Sequence, residues 1–201
     1  ISNLNIIYYF QLMVYVKFLT VNFLIKFISI ALSTFSQNTS GVYLLKNNLV
    51  TFHSNTKFEL IKASSTELKG IIDITKRTFA FTVEMKSFGG FNSPLQKEHF
   101  NENYMESNKF PTANFTGHII EEDDFTKDGM YNVRAKGKFT IHGVEQERIL
   151  QGDLVVKNGI IKLYCNFTVF LSEHDIKIPR IVHEKLASEI KVELYAEFIE
   201  K

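Results

Sequence analysis

Four stretches of this sequence alternate apolar and polar residues with a period of two, and that constrains the fold more than any other feature. Phe79, Phe81, Val83 and Met85 share one parity, against Thr78, Ala80, Thr82 and Glu84. Val133, Ala135, Gly137, Phe139 and Ile141 alternate with Arg134, Lys136, Lys138 and Thr140. Ile161, Leu163, Cys165, Phe167 and Val169 form a third row, and Ile190, Val192, Leu194, Ala196 and Phe198 a fourth. Successive strand side chains point to opposite faces, so each row is a strand with one apolar and one wet face. Antiparallel sheets read this way, whereas parallel strands buried on both faces read as continuous apolar runs.

Turn signals separate the rows. Asn158-Gly159 and His142-Gly143 are two-residue hairpin signals, and Asn47-Asn48 is read as a turn between strands over 42–46 and 49–54. Asp128-Gly129 follows the acidic stretch Glu121, Glu122, Asp123, Asp124. Further strands are expected near 58–62, 67–74, 78–86, 113–120, 130–141, 145–156, 160–170 and 189–199, about eight in all once neighbours merge. Ser93-Pro94-Leu95-Gln96 supplies a Ser N-cap, Pro at the first helical position and Gln at the third, so a short helix is expected to about residue 101. A second short helix is expected over 181–187, after Pro179. The fold class that results is all-β: an antiparallel β-barrel of about eight strands with a short helical insertion. Closure removes the exposed edges that so many strands would otherwise present. Eight strands give an interior that side chains fill or that holds one small ligand.

Before residue 37 the pattern is different. From Met13 the text carries Lys17 and Lys26 but no acid, then an apolar run over 27–32 and small residues at Thr34 and Ser36. This matches a secretory signal cleaved after Ser36. A membrane anchor is the other reading, and it would place Lys26 near mid-span at a cost of about 2.5–3.5 kcal/mol. Residues 1–36 are therefore expected to be upstream residues plus a cleavable signal peptide starting at Met13, and 37–201 to be the barrel. The expected location is periplasmic or secreted.

Composition narrows the function. Lys and Arg number 23 against 22 Asp and Glu, with no basic block, so no nucleic-acid partner is expected. One cysteine, Cys165, excludes an intrachain disulfide and a Cys-based zinc cluster, and its parity makes it an inert core thiol. His53, His99, His118, His142, His174 and His183 form no close pair on one face, although His53 and His142, at strand ends, are candidates to meet. No metal and no cofactor is expected. There is no Gly-x-Ser-x-Gly elbow, and Ser54 next to His53 points to the opposite face. Glu121 to Asp124 lacks EF-hand spacing. With 19 Phe, 8 Tyr and no Trp, the inward faces supply a large apolar core or an apolar cavity.

An ordered set of short pieces then carries a resemblance. These are Val50-Thr51-Phe52-His53-Ser54, Ala80-Phe81-Thr82-Val83, Leu95-Gln96-Lys97-Glu98-His99-Phe100 leading to Lys109-Phe110-Pro111, and Phe115-Thr116-Gly117. Later come Gly137-Lys138-Phe139-Thr140-Ile141-His142-Gly143-Val144 and Ile176-Lys177-Ile178-Pro179. Together, over about 41–198, they resemble the YceI-like family of secreted lipocalin-like barrels. Phe52 stands where that family usually carries Asp, so no role is given to an acid there.

The resemblance implies an extended antiparallel, lipocalin-like β-barrel with a short helical insertion, and a binder of long polyisoprenoid chains rather than an enzyme. The expected partner is a polyisoprenoid or other long-chain lipid, with transient membrane contact. The candidate cavity lining is Phe79, Phe81, Val83, Met85, Phe115, Phe139, Phe167 and Val169. Leu95, Phe100, Tyr104 and Phe110 are candidates to close one mouth. Two other readings stay open on the residues alone: an enzyme acting on a quinone or lipid through its histidines, and a structural barrel with a filled core.

Overall fold

The computed structural model describes residues 41–179 and 184–201. Its strands are β1 (Val42–Asn55), β2 (Leu60–Ser65), β3 (Lys69–Asp73), β4 (Thr78–Glu84), β5 (Thr112–Ile119), β6 (Gly129–Ile141), β7 (Val144–Lys157), β8 (Ile160–Phe170) and β9 (Glu189–Glu200). All pairings are antiparallel, in the order β2-β1-β3-β4-β5-β6-β7-β8-β9, and a further β1–β9 pairing closes the ring. The result is a closed antiparallel barrel of eight strand positions.

The alternating rows become the barrel wall as expected. Tyr131, Val133, Ala135, Phe139 and Ile141 face in from β6, while Arg134 and Lys138 face water. Both hairpin signals are used. His142 and Gly143 (φ 53° and 75°) and Asn158 and Gly159 (φ 51° and 73°) sit in the left-handed region that a tight primed turn demands.

Asn47-Asn48 is not a turn. β1 runs through it as one strand, with a register shift against β9 between Leu45 and Asn47. The side chains explain why. β1 pairs with β3 over Val42, Tyr43 and Leu44, and with β2 from Val50 to Asn55. Asn48 stands where the two partners part: its Nδ2 donates to the Leu68 carbonyl (3.1 Å) and its Oδ1 accepts the Leu68 N–H (3.2 Å). The amide thus replaces a missing ladder step, and Asn47 reaches across to Glu197 Oε1 (2.9 Å).

The helical insertion lies between β4 and β5. α1 (Pro94–His99) has Ser93 as N-cap, with Ser93 Oγ accepting the Gln96 N–H (3.1 Å). Helical winding does not stop near 101. It continues as a π turn over Phe100–Tyr104, then returns to β5 through Pro111. The helix expected over 181–187 lies partly outside the described residues; Glu184 and Lys185 form a turn. The signal-peptide segment also lies outside them. Among the described residues no helix is long and apolar enough to cross a membrane.

Two apolar clusters fill the barrel differently. The lower one, at the end holding the β5–β6 loop, joins Ile72, Phe79, Val133, Leu154, Ile161 and Phe198. Phe125 folds into it from that loop, edge-on to Tyr131 at 5.2 Å. The upper cluster, at the end holding α1, joins Val50, Val83, Met85, Phe88, Met105 and Leu171.

Candidate functional site

The upper cluster surrounds a hollow. A cavity of about 470 Å³ is walled by inward residues of β1, β4, β5, β6, β8 and β9 and roofed by the α1 segment. Beneath it lies a second space of about 120 Å³. Six residues line both: Val50, Val83, Ala113, Phe139, Phe167 and Val192. The two spaces are therefore neighbouring parts of one apolar interior, in the size range of small-molecule sites.

The sequence fixes the lining through strand parity. Phe81, Phe115, Phe139 and Phe167 come from four strands at matched heights. Phe81 opposes Phe115, and Phe115 opposes Phe139, in the ladder register. Phe139 meets Phe167 edge-on at 5.9 Å. Offset and edge-to-face ring contacts of this kind add to plain burial. A second aromatic group forms the roof: Phe52 stacks on Phe100 at 5.2 Å and lies 5.4 Å from Phe88 and 6.0 Å from Phe91.

Ten of the twelve candidates border these spaces. Val83, Met85, Phe139, Phe167 and Val169 line the upper one, with Leu95, Phe100 and Tyr104 from the insertion. Phe81 and Phe115 line the lower one. Phe79 does not border either: its ring sits 4.9 Å from Phe115, in the packed lower cluster. Phe110 does not either. It covers the outside of the β6–β7 turn, 4.5 Å from the His142 ring, because a left-handed Gly143 leaves room for its ring there. Leu95 is on the rim and 56% exposed.

The sequence reading missed most of the roof and rim. Phe52, Phe88 and Phe91 lie on β1 and in the irregular segment before α1, where no periodicity marks them. The polar groups gather at the mouth: Glu59, Asn92, Ser93, Gln96, His99 and Lys185. Gln96 Nε2 donates to Glu59 Oε1 (2.9 Å), and Asn92 Nδ2 donates to the Leu60 carbonyl (3.0 Å), so α1 is tied to the β1–β2 turn. Burial, with the Glu59 carboxylate nearby, pushes the Tyr104 phenol up. Ser54, fully buried in the wall, accepts the Ala187 N–H (2.9 Å). The lower space has no charged side chain in its lining.

Among the described residues the two histidines expected to meet stay apart. His53 Nε2 lies 3.6 Å from Glu193, and His142 is elsewhere, so these two do not meet. His142 Nε2 is 2.7 Å from Glu106 Oε2, and its Nδ1 is 3.0 Å from the His174 carbonyl. His174 is fully buried; its Nδ1–H donates to the Val144 carbonyl (3.2 Å), and among the described residues its Nε2 has no hydrogen-bond partner. Burial holds its pKa below the ordinary imidazole range. Among the described residues no three metal-ligating side chains come together. Cys165 is buried, its Sγ donating to the Gln151 carbonyl (3.2 Å), and burial pushes its thiol up to about 11.

Comparison with known proteins places this architecture. The chain is similar in structure to a polyisoprenoid binding domain from Saccharophagus degradans implicated in plant cell wall breakdown: 13% identity, TM-score 0.66, covering 79% of this chain and 98% of that one. It is also similar to Burkholderia cenocepacia BcnA (12%, 0.63, 75% and 95%) and to the Campylobacter jejuni YCEI protein (15%, 0.54, 74% and 84%). At these identities the likeness is one of fold. No curated protein matches the chain in sequence. The model of the YceI-like domain matches residues 42–198, almost the whole barrel, and the chain belongs to the YceI-like family.

Proposed function

We propose that this protein is a secreted or periplasmic carrier that holds a long isoprenoid, or a similar lipid chain, in the hollow half of its barrel and catalyses no reaction on it. The observation that carries the reading is the pair of neighbouring apolar spaces that share six lining residues, with the charged side chains of the lining confined to the mouth. Each methylene-sized group taken from water contributes about 0.8 kcal/mol, so a chain of tens of carbons has ample driving force even after ordering costs. The rim of Glu59, Gln96, His99 and Lys185 leaves a polar head in water. The Saccharophagus degradans domain, described as polyisoprenoid binding, supports the same class of guest. The basic and then apolar text from Met13 to Ser36 supports export.

The test is extraction of the purified barrel with organic solvent, followed by mass spectrometry, beside the Ala113→Phe variant. Ala113 lines both spaces and is itself buried, so a phenyl group there fills the hollow. A co-purifying prenyl lipid that falls at least tenfold in Ala113→Phe is the expected result. Protein that yields no lipid, and that takes up no hydrophobic dye, ends the reading.

A further inference from the structure

The barrel is closed in topology, but one seam in its wall has no backbone bonds. β6 and β7 pair along their whole length, from Gly129/Val156 to Ile141/Val144. β7 and β8 pair only from Lys157/Ile160 to Gly152/Cys165. Above that point β7 runs on to Val144 and β8 to Phe170 with no ladder between them. Side chains span the gap instead. Arg148 Nη2 donates to the Thr168 carbonyl (2.8 Å) and its Nη1 to Glu173 Oε2 (3.1 Å), while Gln146 Nε2 donates to the Glu173 carbonyl (3.0 Å). At the foot of the seam the Cys165 thiol, not a backbone N–H, serves the Gln151 carbonyl.

The seam runs beside the upper cavity, which Phe167 and Val169 line, and its foot reaches the lower space. Leu150, Gly152, Cys165 and Phe167, the inward residues at its foot, all line that space. We propose that the β7–β8 seam is a second doorway to the apolar interior, braced by Arg148, through which the far end of a chain longer than the hollow leaves the barrel. This rests on the carrier reading for its guest, but the doorway itself is a property of the wall. Opening a ladder breaks a row of backbone bonds at once. Opening this seam breaks the bonds of Arg148 and Gln146 and, at its top, that of the buried His174 to the Val144 carbonyl, and Arg148 can re-form its own with water. The interior floor, built by Phe79 and Phe198, therefore does not cap the guest's length.

Cys165 is the natural reporter, because it is the only cysteine and borders the lower space. Its modification by N-ethylmaleimide is followed in the full chain, in Arg148→Ala and Arg148→Met, in the mouth-narrowing Ile61→Trp, and in Val156→Ala as a packed-half control. Both Arg148 variants are expected to react at least tenfold faster than wild type, with Ile61→Trp within twofold of it and Val156→Ala well below the Arg148 variants. Unchanged rates in the Arg148 variants overturn the doorway. So does equal acceleration in Val156→Ala, which signals global opening, or a tenfold slowing in Ile61→Trp, which signals entry by the mouth. Loss of cooperative folding in both Arg148 variants also overturns it, because a doorway brace must be dispensable to the closed wall. In a second arm, prenyl alcohols of increasing length are titrated. Affinity is expected to level off within threefold past the length that fills the hollow, and a tenfold fall there overturns the exit of the chain. If no prenyl alcohol binds at all, the carrier reading fails while the thiol rates still decide the doorway.

Discussion

The lower and upper halves of this barrel are made by the same strands with the same alternation, yet one is a core and the other a container. In the lower half the inward rows meet across the axis. Phe198, Ile161 and Ala196 have no exposed surface at all, and Phe125 is tucked into the end from the β5–β6 loop. In the upper half the same parity delivers Phe139, Phe167 and Val192 to the wall, but there their side chains border open space. The helical insertion lies across the top as a roof instead of entering as a plug. Alternation therefore decides which face is apolar, and the end loops decide whether that face packs or stays hollow.

Matched truncations test this most severely. Phe198→Ala is expected to cost about 3–5 kcal/mol, the usual loss for removing a fully packed ring. Phe167→Ala, whose ring already borders open space, is expected to cost only about 1–2 kcal/mol, since fewer neighbours are lost. Urea unfolding of both reads the difference directly. Equal losses would mean that the upper half packs as tightly as the lower and would remove the contrast.

The halves also differ in buried titratable groups. The two buried side-chain nitrogens without a hydrogen-bond partner among the described residues, His53 Nε2 and His174 Nε2, both sit in the upper half. Burial depresses the folded-state pKa of His174 below its ordinary 6.5. The unfolded chain then takes the proton first as pH falls. The stabilisation is thus complete above about pH 6.5 and is lost as pH drops through the folded-state value. His174→Phe removes this titration, and it also removes the bond to the Val144 carbonyl, at about 1 kcal/mol. The variant is expected to be less stable at pH 8 and to lose less on going to pH 5. Unfolding curves at the two pH values that stay parallel to wild type would show that His174 does not carry the dependence.

How far each half was legible follows from the same contrast. The inward faces of the packed half were readable because its residues obey one rule: Phe79, Val133, Ile161 and Phe198 sit at even spacing in regular strands, although Phe79 was read as cavity lining and packs in the core instead. Half of the container was readable for the same reason, through Val83, Phe139 and Val169. The roof was not. Phe88 and Phe91 stand in irregular chain, and only Ser93-Pro94 marked where the helix starts. Its continuation as a π turn to Tyr104 has no local signature. Asn47-Asn48 misled because asparagine serves turns and broken ladders with the same amide, and only the split between β2 and β3 distinguishes them. Arg148 was also hidden. Val144, Gln146 and Arg148 share the inward parity of Leu150 and Leu154, so the polar start of that row marked a stretch of wall where inward residues are not core.

The smallest expected effect concerns the roof alone. Ser93→Ala deletes the acceptor for the Gln96 N–H, which typically costs a helix about 1 kcal/mol. α1 has only six residues and buries none of them fully, so it has little packing to compensate. It is held to the β1–β2 turn by Gln96–Glu59 and Asn92–Leu60, and these bonds depend on the helix start being ordered. Amide exchange in 94–104 is therefore expected to rise about fivefold, which is what 1 kcal/mol of local stability is worth. Exchange in the lower halves of β6 and β9 is expected to stay as it was. If those strands lose protection in step with the helix, roof and floor unfold as one unit and the distinction between container and core is only one of packing. If the roof alone loosens, the upper half has its own opening equilibrium, which is the motion a guest at the mouth requires.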